Sequence, residues 1–108
     1  MNYKVIATPR FLKDIKFLAK KYPSLKSEIA ELLNTLKVNP EQGTPIGHHC
    51  YKIRLAIASK GKGKSGGARV ITFIRIVSTS VFLLAIYDKS ARENISVEEL
   101  LAILKMIP

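Results

Sequence analysis

The sequence predicts an α+β fold: a small antiparallel sheet with an N-terminal helical hairpin on one face and a short C-terminal helix, in the order β-α-α-β-β-β-α. Three observations predict it. Apolar residues recur twice at helical spacing between residues 9 and 38. Three runs rich in Ile, Val, Phe and Tyr follow between residues 51 and 87. A Ser96-Val97-Glu98-Glu99 cap then opens a last segment with an apolar face. A chain of 108 residues has room for one core, so residues 1–108 are expected to be one domain.

Tyr3–Ala7 reads as a short opening strand ended by Thr8-Pro9. Thr8 suits an N-cap and Pro9 the first helical position, where its missing N–H matters least. Phe11, Leu12, Ile15, Phe17, Leu18 and Ala19 then mark a helix from about Pro9 to Lys21. Tyr22-Pro23-Ser24 breaks it and starts the next, in which Leu25, Ile29, Leu32, Leu33 and Leu36 repeat up to about Val38. So short a connection makes the pair an antiparallel hairpin. The Pro/Gly content of Asn39–Gly47 predicts a loop. Strands are expected at Tyr51–Ala58, Arg69–Val77 and Thr79–Tyr87, the last two joined by a tight Ser-Thr turn. Helices on one face would leave the other face of the sheet available.

The whole chain is basic and suited to a reducing compartment. Lys and Arg number 18 against 8 Asp and Glu, a net charge of +10, which implies a polyanionic partner. The apolar fraction of 47% excludes wholesale disorder. One cysteine, Cys50, cannot form an internal disulfide, so a cytoplasmic location is expected. No signal peptide is visible, and the longest apolar run, Val81–Ile86, is too short to span a bilayer. No membrane partner is expected.

Charge is concentrated at Ser59–Arg69, where Lys60, Lys62, Lys64 and Arg69 alternate with glycines and no carboxylate intervenes. Such a loop suits contact with a nucleic-acid backbone, or else a solvated hairpin tip. It is not a phosphate-binding P-loop, because Ala58 stands where the first glycine belongs and a strand follows. In the preceding strand the odd positions are large and apolar, while Lys52 and Arg54 alternate with Ala56 and Ala58 on the other face. Arg69 and Arg75 join them only if the hairpin register pairs even with odd positions, with Arg69 then opposite Ala58; a register slipped by one residue would put Arg69 on the core side, and the sequence does not fix the choice. His48, His49 and Cys50 adjoin, but neighbours in a loop rarely ligate one ion together, so no metal and no cofactor is expected.

At Cys50-Tyr51-Lys52-Ile53-Arg54-Leu55, the basic loop, Gly67-Ala68-Arg69-Val70-Ile71 and Ile86-Tyr87-Asp88-Lys89, the chain resembles the RelE/ParE toxin superfamily, most of all its HigB-like branch. The resemblance implies the toxin of a toxin–antitoxin pair that cleaves mRNA on the ribosome without a metal. In that reaction the 2′-hydroxyl attacks the adjacent phosphate. By position it implies Lys52 for proton transfer or charge stabilisation, Arg54 as phosphate clamp and Arg69 as transition-state stabiliser. Lys60, Lys62, Lys64 and Arg75 would hold RNA. Ribosome-dependent members carry a further arginine past the last strand and a late tyrosine. Here Lys89 or Arg92 supplies that charge, Lys89 in the catalytic set and Arg92 among the RNA contacts, and no tyrosine follows Tyr87. The implied partners are the ribosome, mRNA and a cognate antitoxin in a hetero-oligomer. A ParE-like inhibitor of DNA gyrase and a noncatalytic RNA-binding regulatory module are the alternatives.

Overall fold

In the computed structural model, which describes residues 2–61 and 63–108, the chain forms one five-stranded sheet covered on both faces. Strand β1 is Lys4–Ala7, and helices α1 and α2 are Pro9–Lys21 and Leu25–Val38. Strands β2 and β3 are Thr44–Gly47 and Cys50–Leu55, and a one-turn helix α3 spans Gly63–Gly66. Strands β4 and β5, Ala68–Arg75 and Ser80–Asp88, lead to helix α4 at Val97–Leu104. The sheet order is β1-β5-β4-β3-β2.

The helical hairpin forms where the periodicity places it. Thr8 Oγ1 accepts the Phe11 N–H at 3.2 Å, satisfying a first-turn donor, and Pro9 follows at the start of α1. Phe11, Leu18, Leu25, Ile29, Leu32 and Leu36 bury their side chains against Ile53, Val70, Val81 and Leu83. Fully burying each such side chain is worth about 1.5–3 kcal/mol relative to leaving it in water, which makes this face the main source of stability.

Four features differ from expectation. The sheet is mixed, because β1 docks parallel to β5 while the other pairs are antiparallel. Thr44–Gly47 is an edge strand: Pro45 is tolerated because an edge need not donate on its outer side. His48 and His49, both at positive φ (56° and 61°), form the two-residue turn between β2 and β3. The second face is not left open, since α4 lies over Phe82, Leu84 and Ala85 through Leu100 and Ile103. Finally, β3 ends at Leu55, so Arg69 lies opposite Arg54 instead of Ala58. The even-with-odd parity of that expectation is nevertheless observed.

A bulge in β5 controls which residues reach which face. Ile71 pairs with Ala85 but Thr72 pairs with Leu83, leaving Leu84 as the extra residue. Strict alternation would put Val81, Leu83, Ala85 and Tyr87 on one side. With the bulge, Val81 and Leu83 pack under the helical hairpin, while Ala85 and Tyr87 turn to the α4 side. Tyr87 is thereby placed in line with Arg69.

Candidate functional site

A row of polar side chains crosses three strands at the end of the sheet that carries the basic loop. Arg54 on β3 lies opposite Arg69 on β4, which lies opposite Tyr87 on β5. Directly opposed residues have Cβ atoms ~5 Å apart, and like charges there are destabilising. Lys52, two residues before Arg54, shares its face. The Arg54 side chain is exposed and makes no hydrogen bond or ion pair with any of the described residues.

Arg69 is only 4% exposed. Its Nη1 donates to the carbonyls of Lys64 at 2.9 Å and Ala68 at 3.1 Å, and its Nη2 donates to Ser65 at 3.1 Å. The guanidinium therefore holds α3 in place, where a free hairpin tip was one expectation. The direct transition-state contact expected of Arg69 does not fit this burial. Its charge still acts on the site: carbonyl oxygens satisfy N–H donors but leave the unit charge uncancelled, in surroundings that screen it less than water. Gly67 makes the close approach possible, since a Cβ there would run into the Leu55 carbonyl oxygen.

The segment from Lys89 to Ile95 borders the row. Lys52 Nζ donates to Asn94 Oδ1 at 2.9 Å. The Arg92 guanidinium lies 5.0 Å from the Tyr87 ring centre and forms a two-pronged pair with Glu99, at 2.5 and 3.2 Å. Glu99 also accepts from Arg10 at 3.0 Å, so the first turn of α4 is stitched to both Arg92 and α1. This neutralises Arg92, which was expected to face RNA as a free cation. Lys89 pairs with Glu93 at 3.4 Å on the surface, an exposed contact that leaves its ammonium largely available. Burial pushes the Tyr87 hydroxyl up in pKa, partly offset by Arg92 and Arg69, so at neutral pH Tyr87 is a hydrogen-bond donor.

Three of the expected RNA contacts stand elsewhere or outside the described residues. The Lys60 side chain is buried at an ion pair: its Nζ donates to Asp88 Oδ1 at 2.5 Å and to Ser90 Oγ at 3.1 Å, with the Lys60 and Asp88 side chains 7% and 5% exposed. Tyr22 Oη donates to Asp88 Oδ2 at 2.6 Å. Burial alone would raise the Asp88 pKa, but the bonds from Lys60, Tyr22 and Ser90 outweigh it and hold the carboxyl far below the usual range. Lys60 is thus an anchor of the fold. Arg75 lies six positions beyond Arg69 on β4, about 20 Å away at ~3.4 Å per residue, and stacks on Phe82 at 5.1 Å. Lys62 lies outside the described residues, whereas Lys64 is exposed on α3.

Sequence reasoning missed Asn94, Tyr87 as a site residue, and the Asp88 hub. The available signal was a tyrosine and an aspartate ending an otherwise apolar strand. Cys50 is buried and its thiol is pushed up to about 11 by burial, so at neutral pH it is not a nucleophile. Among the described residues no three His, Cys, Asp or Glu side chains converge as metal ligands. Nor is any described helix long and apolar enough to cross a membrane.

Comparison with known proteins bears on this arrangement. Residues 26–107 match the family model described as the RelE toxin of the RelE/RelB toxin–antitoxin system. Among solved structures, the fold is similar to a free double mutant of the E. coli toxin RelE, with a TM-score of 0.65, 21% identity and full coverage of both chains. It is also similar to the RelBE2 toxin–antitoxin complex of Mycobacterium tuberculosis, with a TM-score of 0.60 and 18% identity, covering 82% of this chain and 99% of that one. A third likeness is to the E. coli toxin mutant bound to a peptide of its antitoxin RelB, with a TM-score of 0.51, 21% identity and full coverage of both chains.

Proposed function

The chain belongs to the RelE toxin family, and from that premise we propose that it is a metal-independent endoribonuclease that cleaves mRNA on the ribosome. The observation that carries this reading is Arg54 opposite Arg69 with Lys52 beside them, a cationic face that no carboxylate among the described residues neutralises. A folded protein that opposes two guanidinium-bearing residues gives up stability unless an anion occupies the site.

The chemistry follows from what RNA brings. The 2′-oxygen attacks the adjacent phosphorus as its proton leaves, the bond to the 5′-oxygen breaks, and that oxygen takes up a proton. The products are a 2′,3′-cyclic phosphate and a 5′-hydroxyl. Negative charge grows on the non-bridging oxygens as phosphorus becomes five-coordinate. Arg54, exposed and with its donors free, clamps those oxygens by a two-pronged contact. Lys52, held at one of its three donors by Asn94, stabilises charge beside it. Buried Arg69 adds a fixed positive potential from behind, and Lys64 on α3 meets the RNA backbone. Lys89, at the open end of the row, supplies a further cation.

The partner proposed is an antitoxin, as in the RelB-bound relatives, and the +10 net charge favours an acidic one. The activity is tested by adding the purified chain to an in vitro translation reaction and mapping the message by primer extension. Ribosome-dependent breaks with 5′-hydroxyl ends are expected. Translation arrest with intact mRNA would exclude the nuclease.

A further inference from the structure

Lys52 carries its ammonium on a flexible stem, and among the described residues one bond fixes it, from Nζ to Asn94 Oδ1 at 2.9 Å. Asn94 is itself exposed. It lies in the segment between β5 and α4, and its backbone joins no helix or strand. An acceptor on such a segment can orient a lysine only if something else holds the segment.

Arg92 holds it. Nε and Nη2 both donate to the Asn94 carbonyl oxygen, at 3.3 and 3.2 Å. Nη2 and Nη1 donate to the Glu99 carboxylate on α4, at 2.5 and 3.2 Å. These four bonds engage a group with five N–H donors, and the Tyr87 ring centre lies 5.0 Å from the guanidinium. Donors engaged in this way are not open to a phosphate. Glu99 is anchored in turn, because its Oε2 accepts from Arg10 on α1 at 3.0 Å and its N–H donates to Ser96 Oγ at 3.1 Å. Four side chains therefore stand in series from the first turn of α4 to the cationic face: Glu99, Arg92, Asn94 and Lys52.

We propose that Arg92 and Glu99 are positioning residues for Lys52 and act through Asn94. Glu99 sets the Arg92 fork, the fork sets the Asn94 carbonyl, and Asn94 aims the Lys52 ammonium at the phosphate on the Arg54 face. A cation held in place before the reaction needs no ordering at the transition state; without the series the charge is still present but undirected. The effect on cleavage rests on the nuclease reading, whereas the order imposed on Lys52 can be measured without RNA.

Two measurements on the full chain test the series, each beside a urea midpoint. In the first, carbon-13 relaxation at the Lys52 ε-carbon is compared in wild type, Asn94→Ala, Glu99→Gln and Arg92→Lys. Arg92→Lys keeps the charge, but one ammonium cannot reproduce the fork on both Asn94 and Glu99. Wild-type Lys52 should be more ordered than exposed Lys13, and all three variants should bring it to the mobility of Lys13. In the second, cleavage of a ribosome-bound message is measured under single-turnover conditions. Each variant should lower the maximal rate about tenfold and leave the half-saturating protein concentration within about twofold. Because the groups act in series, the double variant Asn94→Ala, Glu99→Gln should be no more than about twofold slower than Asn94→Ala alone.

Loss of Lys52 order in the variants, with no cleavage even by wild type, would uphold the positioning role and overturn the nuclease. A Lys52 as mobile in wild type as Lys13, or unchanged in Glu99→Gln, would overturn the positioning role. So would rate losses that multiply in the double variant, or a raised half-saturating concentration at an unchanged maximal rate, which would make Arg92 an RNA contact.

Discussion

Replacing Lys60 with methionine leaves the Asp88 carboxylate buried without its cation. The pair is 2.5 Å long and its side chains are 7% and 5% exposed, so solvent cannot take over the lost interaction. Removing one partner of a buried pair costs about 3–5 kcal/mol. Tyr22 and Ser90 still donate to the carboxylate, so the lower end, ~3 kcal/mol, is expected. Against a typical stability of ~5–15 kcal/mol this is a large fraction, equivalent to a Tm lower by about 12–24 °C. Adding Asp88→Asn removes the orphaned charge, so the double variant should recover at least ~1.5 kcal/mol relative to additivity. Urea unfolding of the four proteins gives that coupling directly. The pH dependence gives an independent check. The Asp88 carboxyl is held low in the fold, so its contribution is complete above the unfolded value of ~3.9 and is lost as pH falls toward the folded one. Lys60→Met should make this acid limb shallower. A loss under ~1 kcal/mol for Lys60→Met, or additivity within ~0.5 kcal/mol, would refute the anchor.

Arg69→Ala should free α3, destabilise the fold by about 1–3 kcal/mol and open the loop to limited proteolysis; Arg69→Lys should not rescue it, because one ammonium cannot reproduce the fork over Lys64 and Ser65. Gly67→Ala drives a methyl into the Leu55 carbonyl and should cost about 1–3 kcal/mol by urea unfolding, with cleavage reduced as the β3–β4 junction shifts. Ser96→Ala removes the oxygen that accepts the Glu99 N–H at 3.1 Å and should cost ~1 kcal/mol, seen as faster hydrogen exchange in α4.

Much of the fold is legible because it rests on local patterns. Helix α1 matches its expected span at both ends, since Thr8-Pro9 and Tyr22-Pro23 mark the boundaries chemically. The alternation of Lys52 and Arg54 with apolar neighbours put both on one face, but the register with β4 was open in the sequence, and only the strand pairing sets Arg69 opposite Arg54. What escaped depends on contacts distant in sequence. Lys60 reads like Lys64, and only Asp88, 28 positions later, distinguishes an anchor from a surface cation. The β5 bulge leaves no trace in a run where every residue is buried, so alternation could not show which way Tyr87 faces. Arg75 shares Arg69's face by period, but periodicity says nothing about distance along the strand. Edge strand β2 was masked by Pro45 and Gly47, residues that an edge accepts and a central strand does not.

The central claim is that the cationic face at Arg54 performs phosphodiester cleavage. Cleavage of a defined message by wild type and Arg54→Ala, measured in a reconstituted translation reaction alongside urea midpoints, tests it most directly. Arg54 is exposed and unpaired among the described residues, so its loss should leave stability within ~0.5 kcal/mol while the cleavage rate falls about 10²–10³-fold. An Arg54→Ala variant that cleaves at the wild-type rate would contradict the account.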